Sequence, residues 1–140
     1  MKTAITAYQK KLRLSNNLIE IYESMPYETK EQFIHDLLET LYKERLENII
    51  IRNLKNANFP VKKTLEFYDW SHVQLPDKLS TDVLIRLAFL EQQENLILYG
   101  NFGAGKTHLS IALGIKAINQ NKTVYFFTVH ALLFSCFYNE

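Results

Sequence analysis

The sequence predicts an α/β chain, with a helical N-terminal region followed by one βαβ unit. Three observations predict it. Apolar residues recur at helical spacing through most of residues 5–56. Two short apolar runs, 95–99 and 123–127, have the length and β-branched or aromatic content of strands. Between them, a glycine-rich loop leads into an apolar helical segment. The order strand, loop, helix, strand defines a βαβ unit with the loop at its first turn.

Taken in order, residues 5–24 read as a helix carrying Leu12, Leu14, Leu18, Ile19 and Tyr22, ended by Met25-Pro26. Thr29 stands three residues before Gln32, the spacing of a capping box, and opens a long helix over about 30–56. Its stripe is Phe33, Ile34, Leu37, Leu38, Leu41 and Tyr42, continued by Leu46, Ile49 and Ile50. Its polar side alternates in sign through Lys43, Glu44, Arg45, Glu47, Arg52 and Lys55. That pattern reads first as a solvated face, with a face that binds DNA or a partner protein as the alternative. Asn58-Phe59-Pro60 stops the helix. Residues 61–77 lack periodicity but hold Phe67, Tyr68 and Trp70, as a structured connector lying against a domain would. Residues 79–90 read as a short helix burying Val83, Leu84, Leu87 and Leu90. The first strand is Asn95–Tyr99, the next helix Lys106 to about Asn119, and the second strand Thr123–Phe127. Thr128 caps a last helix from His130 to about Tyr138. The domain organisation that follows is a helical region over 1–57, a linker and short helix over 58–94, and the βαβ region with the glycine-rich loop over 95–140.

Composition narrows the function classes. The 140 residues are 47% hydrophobic and 22% charged, which is globular in character, and the net charge of +1 does not announce a nucleic-acid binder. Residues 91–140 hold only 3 Lys/Arg and 3 Asp/Glu, as segments buried on two faces would. The single cysteine, Cys136, excludes an internal disulfide and a cysteine-built metal site; among Leu133, Phe134 and Phe137 it reads as a buried small apolar residue. No run approaches a membrane span, so a soluble cytoplasmic chain is expected.

The chemistry concentrates in Gly100-Asn101-Phe102-Gly103-Ala104-Gly105-Lys106-Thr107, a complete Walker A (P-loop) pattern with a strand expected before it and a helix after it. Gly103 and Gly105 let the backbone curl so that its N–H groups face inward. The helix N-terminus adds partial positive charge beneath a phosphate. Lys106 is placed for the β- and γ-phosphates, and the Thr107 hydroxyl for magnesium. His108 follows on the first helical turn and is counted with the loop, where packing suits it better than catalysis. His35, His72 and His130 form no metal pattern. Hydrolysis needs an acid on another strand, and residues 108–140 contain only Glu140. Inefficient turnover is therefore expected of this chain alone.

These motifs together resemble the IstB-like ATP-binding helper proteins of transposition, relatives of the helicase loader DnaC. The resemblance rests on Gly100–Leu109, on Ala112-Leu113-Gly114, and on the linker with Asn58-Phe59-Pro60, Lys63-Thr64-Leu65-Glu66 and Tyr68-Asp69-Trp70. It implies an AAA+-like P-loop NTPase sheet, here incomplete and ending before the acidic strand, so that the chain would be an N-terminal fragment or truncated product. It further implies ATP and Mg2+ as cofactors, with DNA, a transposase and further copies of the chain as partners. Phe67, Tyr68 and Trp70 would border the adenine. Arg45, Arg52 and Lys55 on the pre-linker helix, with Lys62 and Lys63, would contact DNA. Two alternatives stay open: a replicative helicase-loader-like protein, and a non-enzymatic helical module with a vestigial P-loop. On the implied strand order the two predicted strands are not neighbours, and each exposes an unpaired edge.

Overall fold

The computed structural model describes residues 2–26, 28–77 and 79–138, and side chains within 5–26, 28–77 and 79–134. The expected burial of Cys136, and Glu140 altogether, lie outside them. The described residues form seven α-helices and one 3-10 turn, in two compact units, Met1–Ile51 and Arg52–Glu140.

The N-terminal unit begins with α1 (Lys2–Lys11) and α2 (Leu18–Ser24), where the sequence predicts one helix. The interruption needs neither Gly nor Pro. Arg13 adopts a left-handed φ of 53°, and Leu14 N–H reaches back to the Gln9 carbonyl at 3.0 Å. The Ser15-Asn16-Asn17 turn follows, held by a chain of side-chain hydrogen bonds. The Gln9 amide donates to the Ser15 carbonyl, the Ser15 hydroxyl donates to Asn17, and the Asn17 amide donates to Glu44 at 2.7 Å. α3 (Lys30–Asn56) matches the long helix predicted. The Thr29 hydroxyl accepts from Gln32 N–H at 3.2 Å, so the expected N-cap forms.

In the second unit the 3-10 turn Leu65–Phe67 precedes α4 (Thr81–Arg86) and α5 (Ala88–Glu91). Ser80 caps α4 by accepting from Val83 N–H at 3.3 Å. The short helix expected over 79–90 is broken at Leu87, whose φ is 62°. Left-handed backbone costs a leucine roughly 1–3 kcal/mol, and burial offsets it, because Leu87 and Leu84 both enter the core. That core is Leu84, Leu87, Leu109, Leu113 and Ala117, covered by Tyr68, Trp70, Phe89, Leu96, Leu98 and Val124 among others. α6 (Lys106–Asn119) supplies three of its residues and is buried almost all round, as its sequence requires. α7 (Val129–Tyr138) starts at Thr128, whose hydroxyl accepts from Ala131 N–H at 3.2 Å.

The predicted α/β class is overturned. No β-strand occurs among the described residues, and the βαβ unit is not formed. Residues 95–99 and 123–127 do alternate in exposure: Leu96, Leu98, Val124 and Phe126 turn inward, while Ile97 (82% exposed), Tyr99 (92%), Tyr125 and Phe127 turn outward. That period of two is the part the sequence pattern detects. A strand also requires a ladder partner, which the pattern does not specify. Instead of pairing, the two runs line a common groove of about 830 Å³. The Phe126 N–H goes to the Ala57 carbonyl at 2.8 Å, and the Phe126 ring meets Phe59 at 6.0 Å. The expectation of burial on two faces fails with it, since each run has one exposed side.

Candidate phosphate-binding loop

The loop Gly100–Gly105 heads α6, the most buried helix among the described residues. Gly103 and Gly105 have φ of 81° and 77°, in the left-handed region that side chains disfavour, and Gly105 is the N-cap of α6. The first-turn N–H groups of a helix have no intrahelical acceptor, so those of Lys106, Thr107 and His108 carry the positive end of the helix dipole. The Lys106 ammonium folds back over the loop and donates to the carbonyls of Gly100 at 2.9 Å and Asn101 at 2.7 Å. Leu109 N–H closes the first turn on the Gly105 carbonyl at 2.9 Å. Asn101, Phe102, Gly103, Ala104 and Thr107 are exposed, and Phe102 makes its whole ring available to solvent. Lys106, Thr107 and Ser110 also line the groove between the two extended runs.

The linker is docked onto this loop. The Tyr68 ring lies against Gly105 closely enough that a Cβ there would stand 3.1 Å from its Cε2. Tyr68 meets Trp70 edge-on at 4.9 Å and the His108 ring edge-on at 5.2 Å. His108 Nε2 lies 3.0 Å from the Thr64 carbonyl, and because a carbonyl only accepts, Nε2 carries the proton. Burial raises the Tyr68 phenol above its ordinary pKa, with the charge of Asp69 adding to the effect. Phe67, grouped with Tyr68 and Trp70 by sequence, is 82% exposed and stands apart from their contacts. The structure brings His108, Tyr68 and Trp70 together with Thr64, which sequence reasoning missed. Thr64 acts through its main-chain carbonyl, 44 residues from His108, and no side-chain pattern signals that.

Farther along α6, a Cβ on Gly114 would come within 2.8 Å of the Phe59 ring and 3.4 Å of Val124. A close approach, not a turn, requires glycine there. Arg45, Arg52, Lys55, Lys62 and Lys63 are all exposed, with Arg52 and Lys55 one turn apart on α3. The one group of metal-ligating side chains among the described residues is His35, Asp36 and Glu39, on an exposed turn of α3 where Glu39 already pairs with Lys43. No helix among the described residues is long and apolar enough to cross a membrane.

Comparison with known proteins assigns the family. The chain belongs to the IstB-like ATP binding proteins, whose family model matches residues 7–137. It is 37% identical over 102 residues to a protein of Pseudomonas aeruginosa named as ATP-binding in insertion sequence IS21, covering 73% of this chain and 38% of that one. It is 32% identical over 102 residues to the corresponding IS5376 protein of Geobacillus stearothermophilus, covering 73% and 41%. A Bacteroides fragilis protein named for an IS21-like insertion sequence is 27% identical over 138 residues, covering 94% and 52%. The chain thus spans about two fifths to one half of the length of these relatives.

Proposed function

We propose that this chain binds ATP through Gly100–Thr107 and serves as the nucleotide-binding helper of a DNA transposition reaction. What carries the reading is the Lys106 ammonium, held 2.9 and 2.7 Å from two loop carbonyls at the positive end of α6. A triphosphate entering there meets a cation, free first-turn N–H groups and two left-handed glycines. The residues present fit that ligand. Lys106 would hold the β- and γ-phosphates, the loop N–H groups would cradle them, and Thr107 would offer its exposed hydroxyl to Mg2+. When bound, Mg2+ neutralises phosphate charge. No Asp or Glu occurs between Lys106 and Asn139, so the segment after the loop supplies no carboxylate to hold the ion or orient a water. Gripping nucleotide is the role proposed for these residues. His108, Tyr68 and Trp70 line the linker side of the loop, and the exposed Arg45, Arg52, Lys55, Lys62 and Lys63 supply phosphate contacts to DNA. A transposase and further copies of the chain are the partners this reading carries, as the family resemblance implies.

Titration of the chain with Mg-ATP tests it. Lys106→Ala is expected to weaken binding by about ten-fold or more, because a charge-assisted contact contributes about 1.5–3 kcal/mol. Equal affinity in the two proteins would remove the basis of the proposal.

A further inference from the structure

Resting on the nucleotide reading above, we propose that His108 is a positioning residue. It pins the linker so that Tyr68 braces the phosphate loop at Gly105, and ligand affinity depends on that brace through the loop's shape.

The argument starts from how little holds this corner. Gly105 must keep a φ of 77° to cap α6, and glycine pays the largest entropic cost for being fixed. Its outer side is covered by the Tyr68 ring, in contact where a Cβ would sit 3.1 Å from Cε2 and 3.4 Å from the hydroxyl oxygen. Tyr68 itself lies in a stretch with little regular structure, one residue beyond a single 3-10 turn. Its ring is located by two edge-on neighbours, Trp70 at 4.9 Å and His108 at 5.2 Å. His108 adds the fixed point, because Nε2–H donates to the carbonyl of Thr64, the residue that caps the 3-10 turn. One imidazole, rooted in the first turn of the loop's own helix, therefore clamps the linker at both ends of the turn. The geometry places Tyr68 against the glycine that shapes the phosphate cradle, so the brace acts on phosphates whatever base they carry.

The test uses the full chain, with Mg-ATP and inorganic tripolyphosphate as probes. Trp70 is the only tryptophan, so its emission without ligand reports the linker. His108→Ala is expected to red-shift that emission and to weaken both probes by about three- to ten-fold, the net worth of roughly one hydrogen bond. His108→Gln, whose amide can donate to the Thr64 carbonyl, is expected to recover most of both effects. If His108→Ala does not fold, Tyr68→Leu takes its place: it keeps the His108–Thr64 bond, removes the brace, and should weaken both probes alike. Unchanged tripolyphosphate binding in the variant would overturn the proposal, whether or not ATP weakens, as would an unshifted Trp70 in folded His108→Ala. Failure of the nucleotide reading shows separately, as wild-type binding that is absent or indifferent to Lys106→Ala, and it takes the affinity claim with it.

Discussion

α3 and α6 are the two helices whose limits the sequence pattern locates best, and they are used in opposite ways. α3 has 27 residues and buries only Asn53. α6 has 14 and buries seven, all apolar. Both carry abundant leucine and isoleucine. The difference is in what surrounds them. α6 is apolar on nearly every side and is enclosed by the linker, the α4–α5 corner and the two extended runs of its unit. The stripe of α3 leaves Ile34, Leu38 and Tyr42 more than half exposed. An apolar pattern states what a helix is able to bury. Enclosure decides what it does bury, and hydrophobic stabilisation follows only the latter.

The sharpest way to break the comparison is one truncation in each helix. Ile118→Ala in α6, at a residue with 0% exposure, should lower unfolding free energy by about 2–5 kcal/mol. Leu38→Ala in α3, at 60% exposure, should change it by no more than about 0.5 kcal/mol. Urea unfolding of both variants measures the pair, and similar losses would show that α3 is enclosed after all. A smaller effect is expected on adding volume to α6. Gly114→Val drives carbon into the space held by Phe59 and Val124 and should cost about 1–3 kcal/mol through overpacking. Thermal melts beside Gly114→Ala would show whether the cost grows with side-chain size, as a close approach demands.

The smallest effect is confined to acid. The neighbouring Ser15 hydroxyl and the Asn17 amide, which donates to it, hold the Glu44 carboxyl below its ordinary pKa. A lowered folded-state pKa stabilises the fold above the ordinary glutamate range, and that contribution is lost as pH falls through the lowered value. Wild type should therefore be the more stable protein at about pH 7, and Glu44→Gln should close the gap at about pH 3. Urea midpoints of both at the two pH values check the sign.

Legibility followed range of interaction. The limits of α3 and α6, and the caps at Thr29 and Thr128, were readable because periodicity and capping depend on residues a few positions apart. The break between α1 and α2 was signalled by Ser15-Asn16-Asn17 and overlooked, since the apolar stripe runs past it. The strands were misread because inward and outward alternation is local, while a ladder needs a partner elsewhere in the chain. In the candidate site, the glycine–lysine loop was plain in the sequence. Its attachment to the linker was not, because the decisive acceptor is the backbone carbonyl of Thr64.

Leu87 has one more consequence. Its left-handed backbone contradicts its local preference; the core that its side chain enters offsets the cost, and its N–H closes on the Leu84 carbonyl at 3.1 Å. Local and global demands are opposed at that residue, a point of frustration in an otherwise concordant segment. The corner between α4 and α5 thus leans on the core as well as on its own backbone hydrogen bonds. In a partly folded chain without α6 in place, residues 81–91 would relax toward one continuous helix, and the corner would form with the core, as part of the same cooperative event.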